Sequence, residues 1–222
     1  MSFQNELKEY LLSQGVSDVG FSEQEECPEG LPYAVTLVVR LSQAIIDEID
    51  SAPTETYFNH YRTVNAFIDR ALLQCGLFLQ KNGYKYITVA ASQSINTDGW
   101  NYRGRFSHKQ AAVAAGLGSV GRNSLFIHKD FGSSVRLGTV FTDCPFDLSE
   151  VTYVDMCGEC NLCVDACPAK AIKGGKWEPG TVREDIFDPE KCSEYMKRAF
   201  HHIGRGAVCG ICMSVCPHNK GE

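Results

Sequence analysis

Length, composition and charge bound what this chain can be. Its 222 residues, 44% hydrophobic and 22% charged, are ordinary for a globular protein of one or two domains. A net charge of -6, with the acidic excess in residues 1–156, argues against a broad nucleic-acid-binding surface, which needs clustered Lys and Arg. We expect a cytoplasmic protein without a membrane partner, because the sequence has neither an export signal nor an apolar run of membrane-spanning length.

Hydrophobic periodicity predicts helices and strands in mixed order before the cysteine-rich end of the chain. Apolar residues recur at helical intervals in some segments, and β-branched residues cluster in others. The predicted helices cover residues 3–14, 54–82 and 109–115, and the predicted strands cover 16–21, 33–41, 86–91 and 136–141. Because residues 33–41 are almost continuously apolar, we expect that strand in the centre of a sheet. The mixture is typical of an α+β domain.

Two segments beside the last predicted helix are candidates for a functional site. A polar loop over residues 92–105 has a length at which a function is common. Beyond the helix, Gly116-Leu-Gly118-Ser-Val-Gly121 matches the G-x-G-x-x-G pattern of dinucleotide-binding proteins. That fingerprint should follow a strand, whereas a helical segment precedes it here, so a nicotinamide site is not favoured. We expect a helix-ending turn with positive φ angles, or else bare backbone that approaches another flat or anionic cofactor.

Eight of the 11 cysteines form two runs near the C-terminus. The first run has the C-x2-C-x2-C-x3-C-P spacing with which bacterial ferredoxins hold [4Fe-4S] clusters, and Cys192 precedes a similar second run. In such pairs the fourth cysteine of each run ligates the cluster of the other run. The expected ligand sets are therefore crossed. They are Cys157, Cys160, Cys163 and Cys216 for the first cluster, and Cys167, Cys192, Cys209 and Cys212 for the second.

Zinc and disulfides are the alternative explanations of these cysteines. A zinc ion is satisfied by four ligands and does not account for the C-x2-C-x2-C-x3-C-P run. Disulfide frameworks are typical of small exported domains, and no export signal is present. The other cysteines, Cys27, Cys75 and Cys144, have no ligand spacing and are expected to stay as thiols.

Residues 107–217 resemble the epoxyqueuosine reductase-like double-cluster proteins, which are related to corrinoid reductive dehalogenases. The resemblance is carried by Ser107-His108-Lys109, Ala115-Gly-Leu-Gly118, Gly121-Arg-Asn-Ser-Leu125, Gly132, Arg136-Leu137, Thr142-Asp143, Cys157-Gly-Glu-Cys160 and Lys191-Cys192-Ser193-Glu194-Tyr195. Asn59-His60-Tyr61 extends it more weakly towards the N-terminus. These motifs cover about half of the chain specifically.

The resemblance implies two domains and a cobalamin. Residues 1–150 would form a reduced nitroreductase-like α+β domain, and residues 151–222 a ferredoxin-like domain with two [4Fe-4S] clusters. Electrons would pass through the clusters to a base-off cobalamin in the first domain. The residues expected to contact this cofactor are Gly116, Gly118, Asn123 and Ser193.

The resemblance also locates candidates for the proton donor, and it shows where this chain departs from the tRNA-acting relatives. The family's donor aspartate aligns near Tyr102, so we expect Tyr102 first, then His108 and Asp98, to supply a proton. Each has a structural alternative, namely a loop anchor, a helix cap and a turn residue. The sequence is acidic and stops at Glu222 without a helical-repeat segment, so tRNA is not expected as a partner.

Two functions from different classes remain open. In the first, the chain is a corrinoid-dependent reductase of a small or nucleoside-like substrate, with a ferredoxin or flavodoxin as electron donor. In the second, it is a non-catalytic electron-transfer protein whose N-terminal domain docks a redox partner. The cysteine pattern supports both equally.

Overall fold

The computed structural model describes residues 2–95 and 102–219 and has the mixed helix and strand composition expected of an α+β protein. Its helices are α1 Phe3–Ser13, α2 Gln43–Ile46, α3 Glu55–Lys81, α4 His108–Ala114, α5 Leu162–Ala166, α6 Arg183–Ile186, α7 Pro189–Ala199 and α8 Ile211–Ser214. Its strands are β1 Asp18–Glu23, β2 Tyr33–Arg40, β3 Tyr86–Val89, β4 Gly118–Val120, β5 Phe126–His128 and β6 Val135–Thr142. Short 3₁₀ helices cover Gly204–Gly206 and Pro217–Asn219.

The chain folds into two compact units, and both are discontinuous in sequence. The first unit comprises Met1–Arg40, Val64–Leu117 and Arg136–Thr152. The second comprises Leu41–Thr63, Gly118–Val135 and Tyr153–Glu222. Two segments that precede the cysteine runs in sequence therefore pack with them. The assignment of residues 1–150 and 151–222 to a nitroreductase-like and a ferredoxin-like domain stays a prediction.

A four-stranded sheet is the centre of the first unit. Its strand order is β1-β2-β6-β3, and both outer strands run antiparallel to their neighbours. Asp18 lies opposite Val38, and Tyr86 lies opposite Thr142. The two inner strands are buried along nearly their whole length, which explains the nearly continuous hydrophobicity of β2. The predicted central position of residues 33–41 is confirmed.

Helix α3 approaches this sheet closely through glycines on both sides of the contact. A Cβ atom at Gly138 of β6 would lie 2.5 Å from Cγ2 of Ile68 on α3. A Cβ atom at Gly76 of α3 would lie 2.1 Å from the ring of Tyr86 on β3. Both distances are shorter than real side chains show, so these positions need glycine for packing.

The glycine-rich segment after α4 ends that helix and then begins a strand. The N–H of Gly116, whose φ is 69°, donates to the carbonyl of Val113, and the N–H of Leu117 donates to the carbonyl of Ala112. This pair of bonds is a Schellman ending, so the predicted helix-ending turn is confirmed. In the second unit, Gly118 opens the β4–β5 hairpin, where a Cβ atom would lie 2.0 Å from the carbonyl oxygen of Ile127.

Among the described residues, no helix combines the length and the apolar composition that crossing a membrane requires.

We expect Gly76→Ala to destabilise the protein although alanine is the better helix former. The added methyl group meets the Tyr86 ring, and overpacking of this kind costs about 1–3 kcal/mol. Anaerobic urea unfolding, followed by far-UV circular dichroism, measures the effect. In the Tyr86→Leu background, Gly76→Ala should lower the free energy of unfolding much less, because the ring that the added methyl group meets is absent. A Gly76→Ala protein as stable as the parent would show that α3 and β3 are not in close contact.

Candidate metal centre

Four cysteines from both runs surround one cavity in the second unit. The cavity has a volume of about 310 Å³, part of it open to solvent. Its cysteine lining consists of Cys157, Cys160, Cys163 and Cys216. Cys216 belongs to the second run in sequence, yet it lies with the first three. This is the set that the crossed pattern predicts for the first cluster, although the ligand assignment itself stays a prediction.

The first run forms a tight loop followed by one helical turn. The N–H of Cys157 donates to Oδ1 of Asp155, and the N–H of Cys160 donates to the carbonyl of Cys157. Gly158, with a φ of 52°, supplies the left-handed residue between them. Helix α5 then brings Cys163 to the cavity wall. The two-residue spacings thus place three thiols around one space.

The remaining four thiols form a second group, consisting of Cys167, Cys192, Cys209 and Cys212. Cys167 belongs to a small buried cluster with Cys163, Ala171 and Ile172, and Cys192 and Cys212 pack against that cluster. Burial raises the pKa of Cys192, and the nearby Cys209 and Cys167 raise it further. Because Cys163 belongs to the same buried cluster, the division of the eight cysteines into two crossed ligand sets stays a prediction.

Burial holds most of these sulfurs in the thiol form. It raises the pKa of Cys163 to about 11 and that of Cys192 to about 12, and neighbouring cysteines add to both shifts. Burial also raises the pKa of Cys212 well above its ordinary value. Because only thiolates ligate metals, cation binding here must displace protons. Within residues 2–95 and 102–219, no three His, Cys, Asp or Glu side chains converge on a single ion position. The first group instead borders an open space.

The β4–β5 turn places a buried cation and an amide beside both cysteine runs. Arg122 is 6% exposed, and its guanidinium donates hydrogen bonds to the carbonyls of Gly158 and Gly174. Asn123 donates from Nδ2 to the carbonyl of Cys212 at 3.0 Å, and it lines the cavity of the first cysteine group. Both residues belong to the motif Gly121-Arg-Asn-Ser-Leu125, but the sequence predicts no role for Arg122. Its acceptors are distant in sequence and could not be identified there.

The C-terminal turn that carries Cys216 is fastened by one buried amide. Oδ1 of Asn219 accepts hydrogen bonds from the N–H groups of Ser133 and Ser134, and Nδ2 donates to the carbonyl of Met213. At Gly132, a Cβ atom would lie 2.3 Å from the carbonyl oxygen of His218, so this contact requires glycine. These bonds hold the turn that carries Cys216 against residues 132–134.

The residues expected to contact cobalamin are engaged within the protein. Gly116 ends α4, and the bare backbone of Gly118 faces Ile127 on the neighbouring strand. Both ends of the Asn123 amide are hydrogen-bonded, because Oδ1 also accepts from the N–H of Leu125. Ser193 is half-buried on α7 beside Cys192. The contact of these four residues with a corrinoid stays a prediction.

The proton-donor candidates have different positions. His108 is half-buried in the first unit, with Nε2 3.0 Å from the carbonyl of Ala90 and Nδ1 2.8 Å from the hydroxyl of Thr139. A carbonyl only accepts, so Nε2 carries the proton and Nδ1 accepts from Thr139. Tyr102 is half-buried with a φ of 56°, a left-handed conformation rare for a tyrosine. Asp98 lies outside the described residues. All three roles stay predictions.

Comparison with known proteins identifies the class to which the cysteine region belongs. Residues 156–219 match the family of 4Fe-4S double cluster binding domains. All eight cysteines of the two runs lie within that match. This region is therefore a double-cluster iron-sulfur domain, as the spacing predicted.

Comparison of the whole chain with curated proteins confirms the resemblance to epoxyqueuosine reductase. The epoxyqueuosine reductase of Listeria monocytogenes serovar 1/2a is 36% identical over 126 residues, which cover 54% of this chain and 31% of that protein. The chain thus spans about a third of the length of this curated relative.

Two solved structures show the same fold. A reductive dehalogenase studied for B12-dependent dehalogenation has a TM-score of 0.73 at 20% identity, covering 97% of this chain and 31% of that one. An epoxyqueuosine reductase with an epoxyqueuosine-modified tRNA-Tyr stem loop has a TM-score of 0.63 at 21% identity, covering 98% and 65%. Because that relative holds a tRNA stem loop, the expectation that tRNA is not a partner finds no support.

We expect the His108 imidazole to stay neutral well below its ordinary titration range. Burial lowers its pKa from 6.5 to about 4. A depressed folded-state pKa means that the unfolded chain takes up the proton first, so stability falls as pH drops from about 6.5 to about 4, by up to about 3 kcal/mol. NMR titration of the ring protons, assigned by their loss in His108→Gln, measures this. A midpoint between pH 6 and 7 would contradict the buried neutral ring.

Proposed function

We propose that this chain is an iron-sulfur reductase that passes low-potential electrons through two [4Fe-4S] clusters to an acceptor associated with the first unit. The observation that carries the proposal is the convergence of Cys157, Cys160, Cys163 and Cys216 on one cavity. A double-cluster domain that matches over residues 156–219 supports the cofactor content. The likeness to epoxyqueuosine reductases supports a reductive role for the whole chain.

The proposed ligands are the two crossed sets. Cys157, Cys160, Cys163 and Cys216 hold the first cluster, and Cys167, Cys192, Cys209 and Cys212 hold the second. Each cluster, when bound, accepts and releases one electron at a potential set by its hydrogen bonds, charge and solvent exposure. The surrounding chain controls those quantities. Ile127 and Leu162 supply apolar wall beside the first group, and the buried Arg122 supplies positive charge near it.

Cobalamin is the electron acceptor that we propose, with a reduced nitroreductase-like fold for the domain that would hold it. Its support is the likeness to a reductive dehalogenase studied for B12-dependent dehalogenation. The residues initially expected to touch a corrinoid are occupied by internal contacts, so no step of a reaction is assigned through that cofactor.

Tyr102 is the proton donor that we favour, with Asp98 and His108 as further candidates. The left-handed φ of Tyr102 supports a functional position, because strained residues cluster at active sites when their surroundings hold them there. His108 is less suited to proton donation at neutral pH, since burial lowers its pKa to about 4 and both ring nitrogens are hydrogen-bonded.

The substrate that we propose is a small molecule or a nucleoside-like group, reduced with electrons from a ferredoxin or flavodoxin in the cytoplasm. An epoxyqueuosine-modified tRNA is the substrate to test beside it, because a solved relative holds such a stem loop. The net charge of -6 favours the smaller substrate on electrostatic grounds.

Anaerobic reconstitution with and without cobalamin tests the cofactor content. We expect about eight iron and eight sulfide per chain, together with a retained corrinoid absorbance after gel filtration. Iron near four would refute the two-cluster proposal. Eight iron without any retained corrinoid would refute cobalamin as the acceptor and would favour the electron-transfer alternative, in which the first unit docks a redox partner.

Single cysteine variants test the crossed ligation. We expect Cys216→Ala and Cys160→Ala to lose the same cluster, so both should retain about four iron and give the same EPR spectrum after reduction. Cys209→Ala should lose the other cluster and give a different spectrum, which Cys167→Ala should share. If Cys216→Ala instead matched Cys209→Ala, its neighbour in sequence, each run would hold its own cluster and the crossed sets would be wrong.

A further inference from the structure

The guanidinium of Arg122 is a buried charge whose described partners are all neutral. Its hydrogen bonds go to the backbone carbonyls of Gly158 and Gly174, the first at 2.7 Å. Among the described residues, no carboxylate forms an ion pair with it, and its buried Nε has no hydrogen-bond acceptor. A buried cation with only neutral partners is costly, so a compensating negative charge is expected nearby.

The first cysteine group can provide that negative charge. Gly158 follows Cys157 directly, so Arg122 donates a hydrogen bond into the loop that carries the proposed ligands. A cluster held by four thiolates is an anion in both redox states, and reduction adds one more negative charge. A fixed buried cation therefore favours the reduced state over the oxidised state.

We infer that Arg122 is a positioning residue that raises the reduction potential of the cluster held by Cys157, Cys160, Cys163 and Cys216. The inference rests on the proposed two-cluster ligation and goes beyond it, because it assigns unequal potentials to the two clusters. Asn123 of the same turn contacts the second run through the carbonyl of Cys212 but brings no charge. The β4–β5 turn thus places its cation beside the loop of the first proposed cluster and a neutral amide beside the second run.

Lys176 provides a matched control near the same loop. It pairs with Asp155 at 3.5 Å and with Glu159 at 3.2 Å, but its side chain is 51% exposed. Solvent screens such a charge far more than a buried one. Neutralising Lys176 should therefore change the potential much less than neutralising Arg122.

EPR-monitored redox titration of the reconstituted protein tests the inference. We expect Arg122→Gln to make one of the two reduction potentials more negative by about 59 mV. For a one-electron couple, this shift is about a tenfold change in the equilibrium constant for reduction. Arg122→Lys, which keeps the charge, and Lys176→Gln should both shift it far less. The cluster that responds should be the one lost in Cys160→Ala.

The outcomes separate this inference from the proposed function. Iron near eight with unchanged potentials in Arg122→Gln, or an equal shift in Lys176→Gln, would overturn the role of Arg122. If Arg122→Gln retains only about four iron, the reduction potential of Arg122→Lys tests the inference instead. A potential equal to that of the parent supports the charge effect, and a potential lower by about 59 mV overturns it. A parent protein without two one-electron couples would instead refute the two-cluster proposal itself.

Discussion

Convergence of thiols from distant parts of the chain constrains the whole second unit. Cys216 lies 53 residues after Cys163 in sequence, yet both line one cavity. Such a meeting requires that the C-terminal turn be held in place, and the buried amide of Asn219 does so by bonding three backbone groups at once. The segment that receives it, around Gly132, comes from before the cysteine runs. This contact explains why Gly118–Val135 belongs to the second unit although it precedes the cysteine runs.

The β4–β5 hairpin also helps to bring the two cysteine runs together, because its turn contacts both of them. Arg122 bonds a carbonyl of the first run, and Asn123 bonds a carbonyl of the second. Hydrogen bonds to backbone carbonyls fix the loop geometry without consuming any thiol. The two runs are thereby aligned by a neighbouring element as well as by their own spacing. The residues of these three-residue strands are buried except Gly118.

The sequence predicts the regular elements of the first unit well, since their signals are local. The period of apolar residues predicts helices close to the observed Phe3–Ser13 and Glu55–Lys81, and continuous hydrophobicity predicts the inner strand Tyr33–Arg40. The β4–β5 hairpin was missed because each strand has only three residues and a glycine opens the first. The role of Arg122 depends on carbonyls 36 and 52 residues away, and backbone carbonyls leave no signal in a sequence.

Cysteine spacing carries more than local information, because it predicts which cysteines ligate the same cluster. The physical reason is that the geometry of a cubane restricts how short loops can surround it, so spacing encodes a three-dimensional arrangement. The protein places these sulfurs where burial and mutual repulsion raise most of their pKa values, which disfavours four thiolates without a cation. Buried Arg122 lacks an anion in the same region. A bound iron-sulfur cluster would resolve both problems. Its iron ions would bind the thiolates, and its net negative charge would offset the buried charge of Arg122. Stability of the second unit and cluster assembly are therefore thermodynamically linked.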